Sequence, residues 1–222
     1  MEPVVHLRGA VALLGRFPAL AGANLDVQRG EIVLVRGRNG AGKTTLLRVL
    51  AGLLAVAAGE AVVLGCDLRA RRQDVRTKVG MLGHGNGLYE DLTVTENVRF
   101  WGRTVGATDA EIAIAMDRLG VGGRLATVPV HRLSAGQRRR TALAVVAARR
   151  PELWLLDEPH AGLDTAGRDL LDALLGEAVA AGATVVFASH ELDRAVPLAT
   201  RVVTMAGGLV EVPTLDGTPV PC

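Results

Sequence analysis

The sequence predicts an α/β fold built on a parallel sheet covered on both faces. Three observations predict it. The runs Ile32-Val33-Leu34-Val35, Leu153-Trp154-Leu155-Leu156 and Thr184 to Ala188 are apolar almost throughout, without alternation. Strands buried on both faces read this way. Helical periodicity fills the intervals between them. Each run also ends in residues able to do chemistry: a glycine-rich stretch after the first, Asp157-Glu158 after the second and Ser189-His190 after the third. Ligands of open parallel sheets bind beyond the carboxyl ends of the strands, so these three groups predict one site.

In chain order, residues 4–13 alternate loosely and read as a strand, and Leu14 to Leu20 reads as a turn. Asn24 to Gln28 reads as a second strand, and Arg29-Gly30 turns the chain into the strand at 31–36. A helix is expected over about 43–52, then short strands at Ala61 to Leu64 and Val79 to Leu82. Glycines 83, 85 and 87 break the pattern. Residues 88–150 read as helical, with starts at Thr95 and Asn97, at Thr108 to Glu111, and at Ser134. The Ser134 helix runs to Arg149-Arg150, whose charges suit a helix C-terminus. Asp164 or Thr165 caps a helix with Leu170, Leu171, Leu174, Leu175 and Ala178 on its inward face. Val202 to Met205 and Leu209 to Val212 complete the sheet, and Pro213 to Cys222 reads as a loose tail.

The glycine-rich stretch is Gly37-Arg38-Asn39-Gly40-Ala41-Gly42-Lys43-Thr44-Thr45. Between a strand and a helix, this spacing is that of a phosphate-binding loop. The glycines let the backbone turn sharply and approach a ligand. Successive N–H groups form an anion nest, and the helix adds its positive end. Lys43 can reach β- and γ-phosphates, and the Thr44 hydroxyl can ligate Mg²⁺. Among 25 basic residues only Lys43 and Lys78 are lysines, so a compact ammonium at this position is a choice rather than a default.

Composition narrows the class. The 222 residues fit one large domain, or a domain with an inserted subdomain. Hydrophobic residues make up 49% and aromatics only 3%, so the core is aliphatic. A net charge of +2 with mixed signs leaves no footprint for nucleic acid, and Arg138-Arg139-Arg140 reads as a solvated helix face. Cys66 and Cys222 form no metal or redox spacing, which suggests a reducing cytosol. The N-terminal residues do not read as a signal peptide. The longest apolar stretch, Val49 to Gly59, is too short to span a bilayer. The expectation is a soluble chain, which leaves open docking onto a membrane partner.

Taken together, the loop, Leu133-Ser134-Ala135-Gly136-Gln137, Asp157-Glu158, Ala161-Gly162-Leu163-Asp164 and His190 resemble, in this order, the nucleotide-binding subunit of ABC transporters. The resemblance runs from about residue 4 to 212. It implies a P-loop NTPase fold: a RecA-like parallel core with an N-terminal antiparallel β subdomain, over about 1–84 and 151–212. A helical subdomain carrying the signature would be inserted over about 85–150. Ser134, Ala135, Gly136 and Gln137 resemble the signature that closes on the nucleotide of a second copy, which implies a head-to-tail homodimer with ATP and Mg²⁺. Ser134 also suits an ordinary N-cap. By resemblance Asp157 positions Mg²⁺ through water, Glu158 is the general base, Asp164 belongs to the loop crossing the dimer interface, and His190 contacts the γ-phosphate. The resemblance also implies an ATPase on the cytoplasmic face of the plasma membrane, energising a multi-spanning subunit.

Three positions depart from the family pattern. Leu14 stands where an aromatic side chain stacks on adenine, with Phe17 nearby as a candidate substitute. His84 stands where a glutamine near metal and water is usual. His160 follows Pro159 without a sequence-level role. With Leu82-Gly83-His84, Gly87-Leu88, Leu92-Thr93, Glu96 to Phe100 and Leu133 to Arg140, the chain is similar to the ATPase subunit of the cytochrome c maturation haem exporter. An ATPase of another ABC exporter, a soluble ABC protein outside transport and a non-hydrolysing nucleotide-gated module are alternatives. Glu158 speaks against the last of these.

Overall fold

A computed structural model describes residues 2–211; the tail expected over 213–222, with Val212, lies outside the described residues. The chain opens with β1 (Val5–Leu14) and β2 (Phe17–Val27), an antiparallel hairpin in which Leu14 pairs with Phe17. The turn expected over 14–20 is therefore only Gly15-Arg16, and the second strand starts well before Asn24. Pro18 is tolerated in β2 because β2 is an edge strand of its sheet, where a missing N–H costs little. Next come β3 (Ile32–Arg36), α1 (Lys43–Leu50), β4 (Ala58–Val63) and β5 (Cys66–Asp67). A short α2 (Leu68–Arg71) and a 3₁₀ turn lead into β6 (Val79–Leu82).

The helical stretch holds α3 (Val94–Arg103), α4 (Asp109–Arg118) and α5 (Ala135–Arg149). Each starts with a capping box, Thr93/Glu96, Thr108/Glu111 and Ser134/Gln137. Thr95 and Asn97, expected as the start of the first of these, lie inside it. The Thr95 hydroxyl donates to the Ala126 carbonyl, and the fully buried Asn97 amide ties down the Tyr89–Thr93 backbone. The chain finishes with β7 (Leu153–Asp157), α6 (Thr165–Ala180), β8 (Thr184–Ala188), α7 (Leu192–Leu198), β9 (Arg201–Ala206) and β10 (Leu209–Glu211). Asp164 caps α6, accepting from Gly167 N–H at 2.8 Å. Leu171, Leu174 and Leu175 face inward as expected, but Leu170 is 37% exposed. A fourth leucine, one residue before Leu171, falls outside the width of one helix face.

The strands form two sheets. One is four-stranded and antiparallel in the order β2-β1-β4-β5, and the other is six-stranded in the order β10-β9-β3-β8-β7-β6, parallel except for β10. The uniform apolarity of β3, β7 and β8 has the predicted cause. Val33, Val35, Leu155, Val186 and Ala188 point into a core shared with α1 and the antiparallel sheet. Leu34, Trp154, Leu156, Val185 and Phe187 alternate into a second core under α3 to α6. Each strand thus feeds two cores, and the carboxyl ends of β3, β6, β7 and β8 all open on the same side.

Candidate functional site

The site begins where β3 ends. Gly37, Gly40 and Gly42 all have positive φ, and at Gly37 and Gly42 a Cβ would sit 2.4 Å from the Met205 carbonyl and 2.6 Å from the Ala19 carbonyl. Only glycine lets the loop pass so close to neighbouring backbone. The loop delivers the chain into α1, and Gly42 provides no side-chain cap there. By contrast α3, α4, α5 and α6 are each capped by a side chain. Among the described residues the first-turn N–H groups of α1 therefore have no side-chain cap, and no acid lies in that turn. That leaves an N-terminus suited to an anion. Lys43 Nζ donates to the Gly37 and Arg38 carbonyls at 2.7 and 3.2 Å, lacing the loop into its curve.

Register brings the acids to this loop. Val35 of β3 pairs with Ala188 of β8, and Ala188 pairs with Asp157 of β7. Asp157 thus ends level with the start of the loop, and the Thr44 hydroxyl donates to its Oδ2 at 2.7 Å. A hydroxyl and a carboxylate side by side form a hard oxygen pair of the kind Mg²⁺ takes when phosphates complete the shell. Among the described residues no group of three or more His, Cys, Asp or Glu side chains is placed to hold an ion unaided. The donor set fits an ion brought in with a phosphate ligand.

Glu158 is one of three non-glycine residues with positive φ among the described residues, at 48°. Its N–H donates to the Ala188 carbonyl, while its carboxylate Oε2 lies 2.9 Å from His190 Nδ1 and accepts from the His190 backbone N–H at 3.2 Å. The His190 side chain is 71% exposed, at the mouth of the site.

An open pocket of about 420 Å³ joins Leu14, Ala19, Asn39 to Thr45, His84, Asp157 and Glu158. Gly37 and Arg38 stand behind it as acceptors for Lys43. Phe17 is 80% exposed beside Leu14 on the hairpin and does not line the pocket. Ser134, Ala135, Gly136, Gln137 and Asp164 lie apart from it. The Ser134 hydroxyl accepts from Gln137 N–H as the N-cap, and Gly136 packs close to the Gly162 carbonyl.

The arginine run is not a solvated face. Arg138 donates to the Val130 and His131 carbonyls, and Arg140 reaches the Leu119 and Gly120 carbonyls. Arg139 is only 5% exposed. Its Nη2 donates to the Asp157 and Glu158 carbonyls at 2.7 and 2.6 Å, its Nη1 to the Gly83 carbonyl at 2.8 Å, and its Nε reaches the Pro159 carbonyl. Burial pulls the guanidinium below its ordinary pKa, and the charges of Asp157 and Glu158 oppose that pull. The sequence did contain the signal. Arg139 shares a helical stripe with the buried Ala142, Leu143 and Val146, so its phase put it inward. His160 also acquires a place: buried, its Nε2 lies 2.8 Å from Asp172 Oδ1 on α6, and Asp172 accepts from Arg194 on α7.

A phosphate loop closed by a Thr–Asp pair, with a second acid one residue on, defines a nucleotide-hydrolysing ATPase on a parallel core. A family model described as ABC transporter matches residues 20–161, and the chain belongs to that family as one of its ATPases. It is 42% identical over 191 residues to the cytochrome c biogenesis ATP-binding export protein CcmA of Bordetella bronchiseptica, covering 85% of each chain. It is 39% identical over 192 residues to a CcmA of Cupriavidus metallidurans, covering 86% of this chain and 90% of the relative. Among solved structures it resembles a post-hydrolysis dimer of an ATP-binding cassette bound to ADP and Pi, with TM-score 0.83, 26% identity, and coverage of 93% and 96%.

Proposed function

We propose that this ATPase energises the membrane-embedded haem exporter of c-type cytochrome biogenesis. The observation that carries the ATPase chemistry is the pocket in which the uncapped start of α1, the Thr44–Asp157 pair and the Glu158 carboxylate converge. The likeness to the CcmA proteins over most of their length supports the biogenesis role.

In this reading the loop amides of 40–45 and Lys43 bind the phosphates of ATP, and Thr44 with Asp157 holds Mg²⁺, which neutralises phosphate charge. Glu158 orients and deprotonates the attacking water, and His190, already beside Glu158, faces the γ-phosphate. His84 lies on the pocket wall, where an imidazole suits a water better than a direct Mg²⁺ contact. Leu14 and Phe17 offer apolar surface to the base. Ser134 to Gln137 and Asp164 stand apart from their own loop, which suits the signature of one copy closing on the nucleotide of another in a head-to-tail dimer. Residues 1–84 and 151–212 would act as the nucleotide-binding core, and 85–150 as the helical part.

No helix among the described residues is long and apolar enough to cross a membrane. In this reading the membrane connection runs through a multi-spanning partner, with the ATPase on the cytoplasmic face of the plasma membrane. Tyr89, Phe100 and Trp101 stack edge-on and face-on, with Tyr89 and Phe100 half exposed, beside the loop that begins at His84. This aromatic patch is the proposed docking point.

Two experiments test the proposal. Glu158→Gln should keep ATP binding and lose turnover by about 10²–10⁴-fold, as removal of a general base does. A strain lacking the protein should fail to mature c-type cytochromes and spare other haem proteins. Normal c-type cytochromes there would discard haem export and leave the ATPase in place.

A further inference from the structure

We infer that Arg139 is a positioning residue for hydrolysis, which holds Glu158 on target and links it rigidly to the Gly83–Asn86 loop. The inference rests on the reading of Glu158 as the water-orienting base.

At φ 48° the Glu158 backbone sits in the left-handed region, which disfavours a residue bearing a side chain. Something must hold it there. Its N–H is bound to Ala188 of β8, and its carbonyl accepts from Arg139 Nη2. The same nitrogen binds the Asp157 carbonyl, so one N–H₂ group grips both peptides that define the turn. The carboxylate leaves this turn toward His190 and the pocket. If the peptides rotate, the carboxylate swings away.

The other half of the fork faces a different element. Arg139 Nη1 donates to the Gly83 carbonyl and reaches Asn86 Oδ1 at 3.4 Å. That loop carries His84, on the pocket wall. A planar guanidinium can serve the two directions at once, whereas an ammonium acts as a single point. The acceptors recorded for Arg139 are carbonyls and one side-chain amide, with no carboxylate among them. Burying a cation that no carboxylate hydrogen-bonds is costly even with the charges of Asp157 and Glu158 nearby, and packing alone would favour an apolar residue on this stripe. The arginine also stands in the second turn of α5, whose first residues Ser134 to Gln137 would meet the second copy's nucleotide. A displacement of that helix end or of the Gly83 loop would reach the Glu158 turn through one side chain.

The test uses the full chain with Arg139→Lys and Arg139→Gln, alone and combined with Glu158→Gln. Lysine keeps the charge and loses the fork; glutamine keeps a planar donor pair and loses the charge. Melting curves and binding of a fluorescent ATP analogue verify folding, and single-turnover and steady-state hydrolysis report the chemistry. Arg139→Lys should leave KM for ATP unchanged and lower kcat by about 10²-fold, the scale of a 1 Å misplacement. Added to Glu158→Gln it should cost little more, because residues acting through one another are not additive. A kcat within about twofold of wild type, a loss confined to KM, or an equal loss on both backgrounds would overturn the inference. Failure of both variants to fold would mark Arg139 as merely structural and overturn it as well. Wild-type turnover in Glu158→Gln alone would instead remove Glu158 from the mechanism, a separate result.

Discussion

Gly42 shows most directly how single residues define the site. Its φ of 104° and the Ala19 carbonyl, 2.6 Å from where a Cβ would stand, both exclude a side chain. Gly42→Ala should cost about 1–3 kcal/mol of local strain and move the first-turn amides of α1. A fluorescent ATP analogue should bind far more weakly, while the melting temperature falls by roughly 2–12 °C; unchanged affinity would contradict this. If the base lies against Leu14, with Phe17 exposed nearby on the hairpin, apolar contact there would not tell the bases apart, so ATP and GTP should bind with comparable affinity. Competition titrations would decide, and a difference of several orders of magnitude would refute it. The glycines, Lys43, Thr44, Asp157 and Glu158 were legible in the sequence because their chemistry is local to a strand end. Arg139 was not, because a run of three arginines hides the one whose helical phase points inward.

At the level of elements, capping chemistry decides where helices start, and it also titrates. Hydrogen bonds from the Thr93 and Thr108 backbone N–H groups hold the Glu96 and Glu111 carboxyls below the ordinary glutamate range. A depressed carboxyl contributes stability that is complete above its unfolded pKa and is lost as pH falls through the folded one. Acidification below the ordinary glutamate range should therefore weaken the starts of α3 and α4. Glu111→Gln keeps the box without the charge, so its melting temperature should fall less than that of wild type over the same acid range. Parallel curves for the two proteins would exclude the effect. The His160–Asp172–Arg194 chain ties the segment after Glu158 to α6 and α7. Asp172→Ala should destabilise the fold by about 1–3 kcal/mol in urea titrations, since His160 is buried. Strand identities were readable from apolar runs. The length of β2 was not, because Pro18 reads as a breaker unless its place at a sheet edge is known.

For the whole molecule, the order of the chain says little about which ends meet. The start of α5, the paired acids and the Gly83 loop are separated in sequence, and sheet register and one buried guanidinium bring them to the same side. Coupling to a membrane partner is a property of this scale. If the proposed membrane subunit stimulates turnover, His84→Ala should leave ATP binding and folding intact and reduce that extra turnover. Equal stimulation of mutant and wild type would sever the His84 loop from coupling.

The position of β8 between β3 and β7 has a further consequence. The phosphate loop and the paired acids spring from strands two hydrogen-bonding steps apart, about 9.6 Å. That interval is a ruler cut into the backbone lattice. Side-chain replacement at the rim can alter what is gripped, but it cannot change the gauge. A chain rebuilt to accept a bulkier phosphorylated substrate would have to change the number of strands rather than the residues on them.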